Sequence, residues 1–147
     1  MDAETYLSSL EPIGWKLGLE RMELLSDELG RPQDRFESVH VVGTNGKSSV
    51  TRMTSALLTA HGRRSGCSVS HHLHRWSEQV LIDGEEIGSD AFSAAVETVA
   101  SAAGRVNERL EGDECVTQFE VATAASFLAL ADAGVEVAVI EAGLGGR

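Results

Sequence analysis

The sequence predicts an α/β domain in which a parallel sheet is flanked by helices. Three observations carry that prediction. A β-branched stretch, Val39-His40-Val41-Val42, runs into the turn Gly43-Thr44-Asn45-Gly46, then Lys47, Ser48 and Ser49, then an amphipathic pattern of Val50, Met53, Ala56, Leu57 and Ala60. Segments of strand character alternate with helical ones along the 147 residues. A late run, Val135-Glu136-Val137-Ala138-Val139-Ile140-Glu141, is apolar almost throughout, as expected of a strand buried on both faces.

Each element follows from local pattern. Residues 1–11 read as a short helical lead-in. Residues 15–29 read as a second helix with Leu17, Met22, Leu25 and Leu29 on one side, stopped by Gly30-Arg31-Pro32. The first strand is 36–42, and the helix after the glycine turn is 48–61, ended by His61-Gly62. A small second strand is expected at 65–69. Residues 70–88 hold a hairpin, Gln79-Val80-Leu81-Ile82 turning at Asp83-Gly84 into Glu85-Glu86-Ile87, because Asp-Gly suits a tight primed turn. Phe92, Val96, Val99, Ala103, Val106 and Leu110 recur at helical steps through 89–110. A further helix covers 118–133, with Phe119, Ala122, Ala125 and Leu128 along one side. By periodicity, Met22, Phe92 and Phe119 are core residues. The strand 135–141 runs into Ala142-Gly143-Leu144-Gly145-Gly146-Arg147, where a ligand loop is expected to begin. On this reading the domain is truncated, the last strand has an unprotected apolar edge, and the isolated chain tends to aggregate.

The turn at 43–49 has the chemistry of a phosphate-binding loop. Glycines let backbone N–H groups face an anion, and the helix N-terminus adds partial positive charge. Lys47 reaches the β- and γ-phosphates, and a hydroxyl can sit on magnesium. The strict spacing G-x-x-x-x-G-K-[ST] fails, because Val41 stands five residues before Gly46. A plainer reading also exists: Asn-Gly is a common turn and Ser a common helix cap. It explains Asn45-Gly46 and Ser48 singly, but not a lysine between them at the mouth of a strand–turn–helix unit. Thr44, Asn45, Gly46, Lys47, Ser48 and Ser49 are therefore the candidate nucleoside-triphosphate contacts, with Lys47 also the candidate catalytic group.

Composition narrows the rest. There are 23 acidic residues against 12 Lys and Arg, a net charge of −11, which argues against general nucleic-acid binding. Few aromatics make base-stacking platforms unexpected. Cys67 and Cys115 have no metal-like spacing, and a reduced, cytoplasmic compartment is the simpler reading. No apolar run reaches the length of a membrane span, and Met1-Asp2-Ala3-Glu4 opens no signal peptide.

The chain resembles the N-terminal part of the folylpolyglutamate synthase/dihydrofolate synthase branch of the Mur ligase superfamily. The resemblance rests on Leu17-Gly18-Leu19-Glu20-Arg21-Met22, the loop from His40 to Ser49, Thr117-Gln118-Phe119-Glu120, and Val139-Ile140-Glu141-Ala142-Gly143-Leu144-Gly145-Gly146-Arg147. The loop fits any Mur-type ligase, whereas the T-x-F-E segment and the terminal E-x-G-L-G-G-R are more specific. Only about forty residues precede Gly43, too few for the UDP-sugar domain that peptidoglycan ligases carry there. The resemblance implies an ATP-dependent ligase that joins L-glutamate to a folate- or dihydropteroate-type carboxylate through an acyl phosphate. It also implies that residues 1–147 are the first part of an ATP-binding domain. Further metal and ATP contacts, a modified lysine and a C-terminal glutamate-side domain are then expected beyond Arg147.

By the same resemblance, the nucleotide is ATP, and Ser70 and Glu141 are the magnesium ligands. Ser70 matches the serine of an S-P-H-L loop, here Ser70-His71-His72-Leu73 with His71 in place of proline. Gly14, Trp15, Lys16 and Leu17, with Thr117, Gln118, Phe119 and Glu120, are expected on the pterin side. Plainer readings stand beside these. Glu141 as a solvated strand end and Ser70 as a loop serine are the lesser readings, whereas Glu120 reads equally as a catalytic group and as a helix cap. His71, His72 and His74 hint at zinc, but lack a partner ligand at suitable spacing and read better as a solvated loop. Two rival functions remain open at this point: a Mur-type ligase acting on another acid, and a nucleotide-binding fragment without turnover.

Overall fold

Five strands form one sheet in the order β1-β5-β2-β3-β4. The computed structural model describes residues 2–10, 18–112 and 114–143, so the expectations for Gly14, Trp15, Lys16 and Leu17 lie outside the described residues. β1 (Glu37–Val41), β5 (Val137–Glu141) and β2 (Ser65–Ser68) run parallel, with Val39 opposite Val139 and Cys67 opposite the same residue on the other side. β3 (Val80–Ile82) and β4 (Glu85–Glu86) extend the sheet as an antiparallel hairpin. The turn between them has Asp83 at φ 50° and Gly84 at φ 89°, the double positive φ that an Asp-Gly primed turn requires.

The helices follow their local signals. α1 (Ala3–Ser9) is capped by Asp2, whose carboxylate accepts from the Thr5 N–H at 2.8 Å and its hydroxyl at 2.6 Å. α2 spans Glu20–Glu28, α3 Lys47–Ala60, α4 Ser89–Asn107 and α5 Gln118–Asp132. α3 covers one face of the sheet. α5 covers the other, with α4 packed on α5, and α1 and α2 closing that layer. The core sits between α4, α5 and the sheet, around Phe92, Val96, Val99, Val106, Val121 and Leu130. No helix among the described residues is long and apolar enough to cross a membrane.

Two expectations are corrected, and one pattern is given its orientation. The strand at the end of the chain is not an edge: β5 is paired on both sides, by β1 and β2, and the open edges are β1 and β4. The crossover from β1 through α3 lands β2 one place away and leaves the slot between them for β5. Second, the apolar stripe of α3 does not face the sheet. Val50, Met53 and Leu57 are exposed, while Thr51 and Ser55 are buried against it. The buried hydroxyl of Ser55 meets Ser65 of the sheet. The Ser65 hydroxyl donates to the Ser55 carbonyl oxygen at 2.8 Å and lies 3.1 and 2.7 Å from the Ser55 and Thr59 hydroxyls. Third, Phe119 is no core residue. It is 56% exposed at the first turn of α5, whereas Phe92 is buried and Met22 packs on the core as expected.

Candidate active site

Strand parity decides which side chains reach which face. Ser65, Cys67, Val137, Val139 and Glu141 point to the α3 side, and Gly66, Ala138 and Ile140 to the α5 side. Glu141, last in β5, therefore meets the start of α3 at the carboxyl end of the sheet, where ligand loops gather.

The loop between β1 and α3 is built for close approach. Gly46 adopts φ 75° as the residue before α3, a conformation that side chains other than glycine resist. Thr44, Asn45 and Gly46 are exposed, and Lys47 and Ser48 are half-buried. The Lys47 stem folds back over Gly43, whose φ is 150°. The first N–H groups of a 14-residue helix have no intrahelical acceptor and point out of its N-terminus. The donor set fits a polyphosphate: free amides, a lysine and two hydroxyls on one turn.

Glu141 gathers three segments. Its carboxylate accepts from the Ser48 hydroxyl at 2.9 and 3.1 Å, and from the Ser70 backbone N–H at 3.1 Å. It is only 8% exposed, which removes the reading of Glu141 as a solvated strand end. Ser70 is held beside it by its backbone, while its hydroxyl pairs with His71 Nδ1 at 2.8 Å. A carboxylate beside two serines is a hard-oxygen set of the kind magnesium takes, since that ion keeps waters and needs one or two carboxylates plus phosphate oxygens.

The loop after Ser70 is tied down separately. The Glu78 carboxylate accepts from the backbone N–H groups of Leu73 (2.8 Å), His74 (3.3 Å) and Arg75 (3.2 Å). The Leu73 amide in particular holds that carboxyl below its ordinary range. The three histidines do not converge. His71 binds Ser70, His72 Nδ1 lies 3.0 Å from Gln79 Nε2 with its ring 4.3 Å from that of Trp76, and the His74 amide turns to Glu78. No group of three or more His, Cys, Asp or Glu able to hold a metal occurs among the described residues.

A cleft of about 290 Å³ opens from Glu141 between the Ser70 loop and the start of α5. Ser70, His72, Trp76, Gln118 and Phe119 are among its lining residues. Of the expected pterin-side residues, Gln118 and Phe119 face this cleft. Thr117 and Glu120 turn inward instead and form a reciprocal cap: the Glu120 N–H donates to Thr117 Oγ1, and the Thr117 N–H donates to Glu120 Oε2 at 2.8 Å. Trp76 was not singled out by sequence, which held no periodicity to mark it, and Gln79 and Gly143 were named there only within a hairpin and a motif, with no place in the cleft. Gly143 matters for space. A Cβ there would stand 2.7 Å from Phe119 Cζ, so the ring lies directly over the chain just after β5.

No family model matches the chain. It is 41% identical over 134 residues to the dihydrofolate synthase/folylpolyglutamate synthase of Mycobacterium tuberculosis, covering 88% of this chain and 28% of that protein. It is 37% identical over 146 residues to a probable bifunctional folylpolyglutamate synthase/dihydropteroate synthase of Haloferax volcanii, covering 99% of this chain and 17% of that one. Among solved structures it superposes on Mycobacterium tuberculosis folylpolyglutamate synthase complexed with ADP, with a TM-score of 0.89 and 39% identity over 98% of this chain and 32% of that chain. It also superposes on Escherichia coli FolC in complex with DHPP and ADP, with a TM-score of 0.85 and 32% identity over all of this chain and 34% of that chain. The chain thus spans about a third or less of the length of these relatives.

Proposed function

Since this chain is a homologue of the dihydrofolate synthase/folylpolyglutamate synthase ligases over part of their length, we propose that it is the nucleotide-binding, N-terminal part of a cytoplasmic ATP-dependent ligase that adds L-glutamate to a folate- or dihydropteroate-type acid. The observation that carries the proposal is Glu141 joining Ser48 and Ser70 in the lining of a cleft that Phe119 also lines. One carboxylate thereby links a phosphate-binding helix to a site for a flat aromatic acid.

In this reading the amides and side chains of Thr44, Asn45, Gly46, Lys47, Ser48 and Ser49 hold ATP. Lys47 neutralises charge on the β- and γ-phosphates. Ser48, Ser70 and Glu141 supply oxygens for magnesium, which when bound lowers the charge repulsion between nucleotide and acceptor. The acceptor lies in the cleft against Phe119 with its carboxylate toward Glu141. That carboxylate attacks the γ-phosphorus, ADP leaves, and an acyl phosphate forms. The glutamate amine then attacks the acyl carbon, and phosphate departs from the tetrahedral intermediate as the amide forms. The work of this chain is positioning and charge neutralisation. The partial span relative to the homologues favours a second statement: this chain binds substrates and turns over only with the remaining part of a ligase.

Calorimetric titration with Mg-ATP tests the reading directly. Binding by the chain, lost in Lys47→Ala, supports a working phosphate loop. Equal binding by both proteins places the nucleotide elsewhere and overturns it. Turnover dependent on ATP, glutamate and pteroate by residues 1–147 alone would remove the second statement.

A further inference from the structure

The mechanism leaves one buried ion pair unused. Arg21, on α2, directs its Nε to both oxygens of Glu120 at 3.1 and 3.2 Å, across 99 residues of sequence. The two side chains are 7% and 9% exposed. An ion pair this buried is seldom worth its desolvation cost as a source of stability alone, and specifying one conformation is the better-attested role for such pairs. Glu120 Oε2 also accepts from the Thr117 N–H and, at 3.0 Å, from its hydroxyl. One carboxylate therefore ties α2 to the first turn of α5, on both sides of Gln118 and Phe119.

Those two intervening residues are the ones that face the cleft. Gln118 is itself anchored to α1, donating from Nε2 to the Leu7 carbonyl oxygen at 2.7 Å. Phe119 is mostly exposed, and its ring lies over Gly143. An exposed ring on a helix terminus would ordinarily sample rotamers and fray with that terminus. Here the helix end is fixed from below by two earlier helices.

We propose that Arg21 is a positioning residue for the acceptor: through Glu120 it fixes the first turn of α5, so that Gln118 and Phe119 form a preorganised platform for a planar, ring-bearing acid. The proposal rests on the acceptor reading above. It gives the residues before β1 a function, which is to brace the acceptor side of the site. Preorganisation favours binding by removing the ordering cost from the binding step.

The test uses pteroate and Mg-ATP titrations of the unaltered chain, Arg21→Lys, Phe119→Ala and the double variant. Lysine keeps the charge but loses the planar fork. The expected result for Arg21→Lys is pteroate affinity weakened about tenfold with Mg-ATP affinity within about twofold. The Arg21→Lys effect should also disappear in the Phe119→Ala background, because Arg21 acts through that ring. Equal loss of both affinities would make Arg21 merely structural and overturn the proposal, as would unchanged pteroate affinity or additive effects. Amide hydrogen exchange separates this from failure of the acceptor reading. Residues 117–121 should exchange about tenfold faster in Arg21→Lys, with β1 and β5 unchanged. If the unaltered chain binds no pteroate, the acceptor reading fails and exchange alone decides: faster exchange keeps the brace, and unchanged exchange removes it.

Discussion

Two glycines show how one substitution reports on different scales of constraint. At Gly66 in β2, a Cβ would stand 2.5 Å from Leu130 Cδ2 and 2.9 Å from the Leu81 carbonyl oxygen. Leu130 is fully buried and the second neighbour is backbone, so neither yields. Gly66→Ala should therefore destabilise by about 1–3 kcal/mol through overpacking, seen as a lower denaturant midpoint with an unchanged slope. At Gly143 the Cβ would meet only the Phe119 ring, at 2.7 and 2.8 Å. That ring is the free end of a half-exposed side chain and can swing away. Gly143→Ala should leave the midpoint within about 0.5 kcal/mol while weakening pteroate binding about tenfold. The reverse pattern, lost stability with intact binding, would show that Phe119 is no part of the acceptor site. Neither role was legible in sequence. Gly66 sits in a strand-like run, and Gly143 was noted as part of a loop and of the E-x-G-L-G-G-R motif without a spatial role, because the atoms that crowd each come from residues far along the chain. Lys47 and Ser48 could be named from a loop and a helix start that carry a local signature, whereas Glu141 was named by the family resemblance and the structure places it against Ser48.

At the scale of elements, carboxylates fasten helices and loops together, and they make the fold acid-sensitive. Glu28 at the end of α2 accepts from Arg105 Nε and Arg109 Nη2 on the α4 side, each at 2.6 Å. The Arg105 hydrogen bond first, and Arg109 next, hold the Glu28 carboxyl below its ordinary value of 4.5. Glu78 is held below the same value, chiefly by the Leu73 amide. A carboxyl with a lowered folded value adds stability that is complete above its unfolded value and is lost as pH falls through the folded one. The melting temperature should hold from neutral pH to about 5 and then fall below about 4.5. Glu28→Gln should already be less stable at neutral pH and lose less on acidification. A variant that matches the unaltered chain at pH 7 and falls as steeply would dismiss this pin. The helices themselves were readable, since caps such as Asp2 and Thr117 and the Asp83-Gly84 turn act within four residues. What those helices touch was not. The apolar stripe of α3 named a face without naming its partner, and the helix face that meets the sheet carries Thr51 and Ser55, with Ser65 opposite.

For the whole molecule, the decisive question is what the sheet leaves open. Sequence order placed β5 last and so at an edge; the parallel crossover places it in the middle. The two true edges are unlike. β4 is two glutamates long, the short and charged form that resists pairing. β1 has five residues with Val39 exposed, and α3 adds the exposed stripe of Val50, Met53 (59% exposed) and Leu57 (61%). Among the described residues nothing covers this strip, and contiguous exposed apolar surface favours association. The net charge of −11 opposes it, because copies repel over a Debye length of about 10 Å at 0.1 M salt. Salt screens that repulsion while leaving apolar attraction in place. The chain should therefore sediment as a monomer at low ionic strength and associate, in proportion to concentration, as salt rises toward about 0.5 M. Met53→Lys combined with Leu57→Lys should keep it monomeric under both conditions without lowering the melting temperature, since both side chains stand in solvent. Association that persists in the double variant would assign the contact to the β1 backbone edge alone, and a monomer at every salt concentration would show that the strip has no affinity for its own kind.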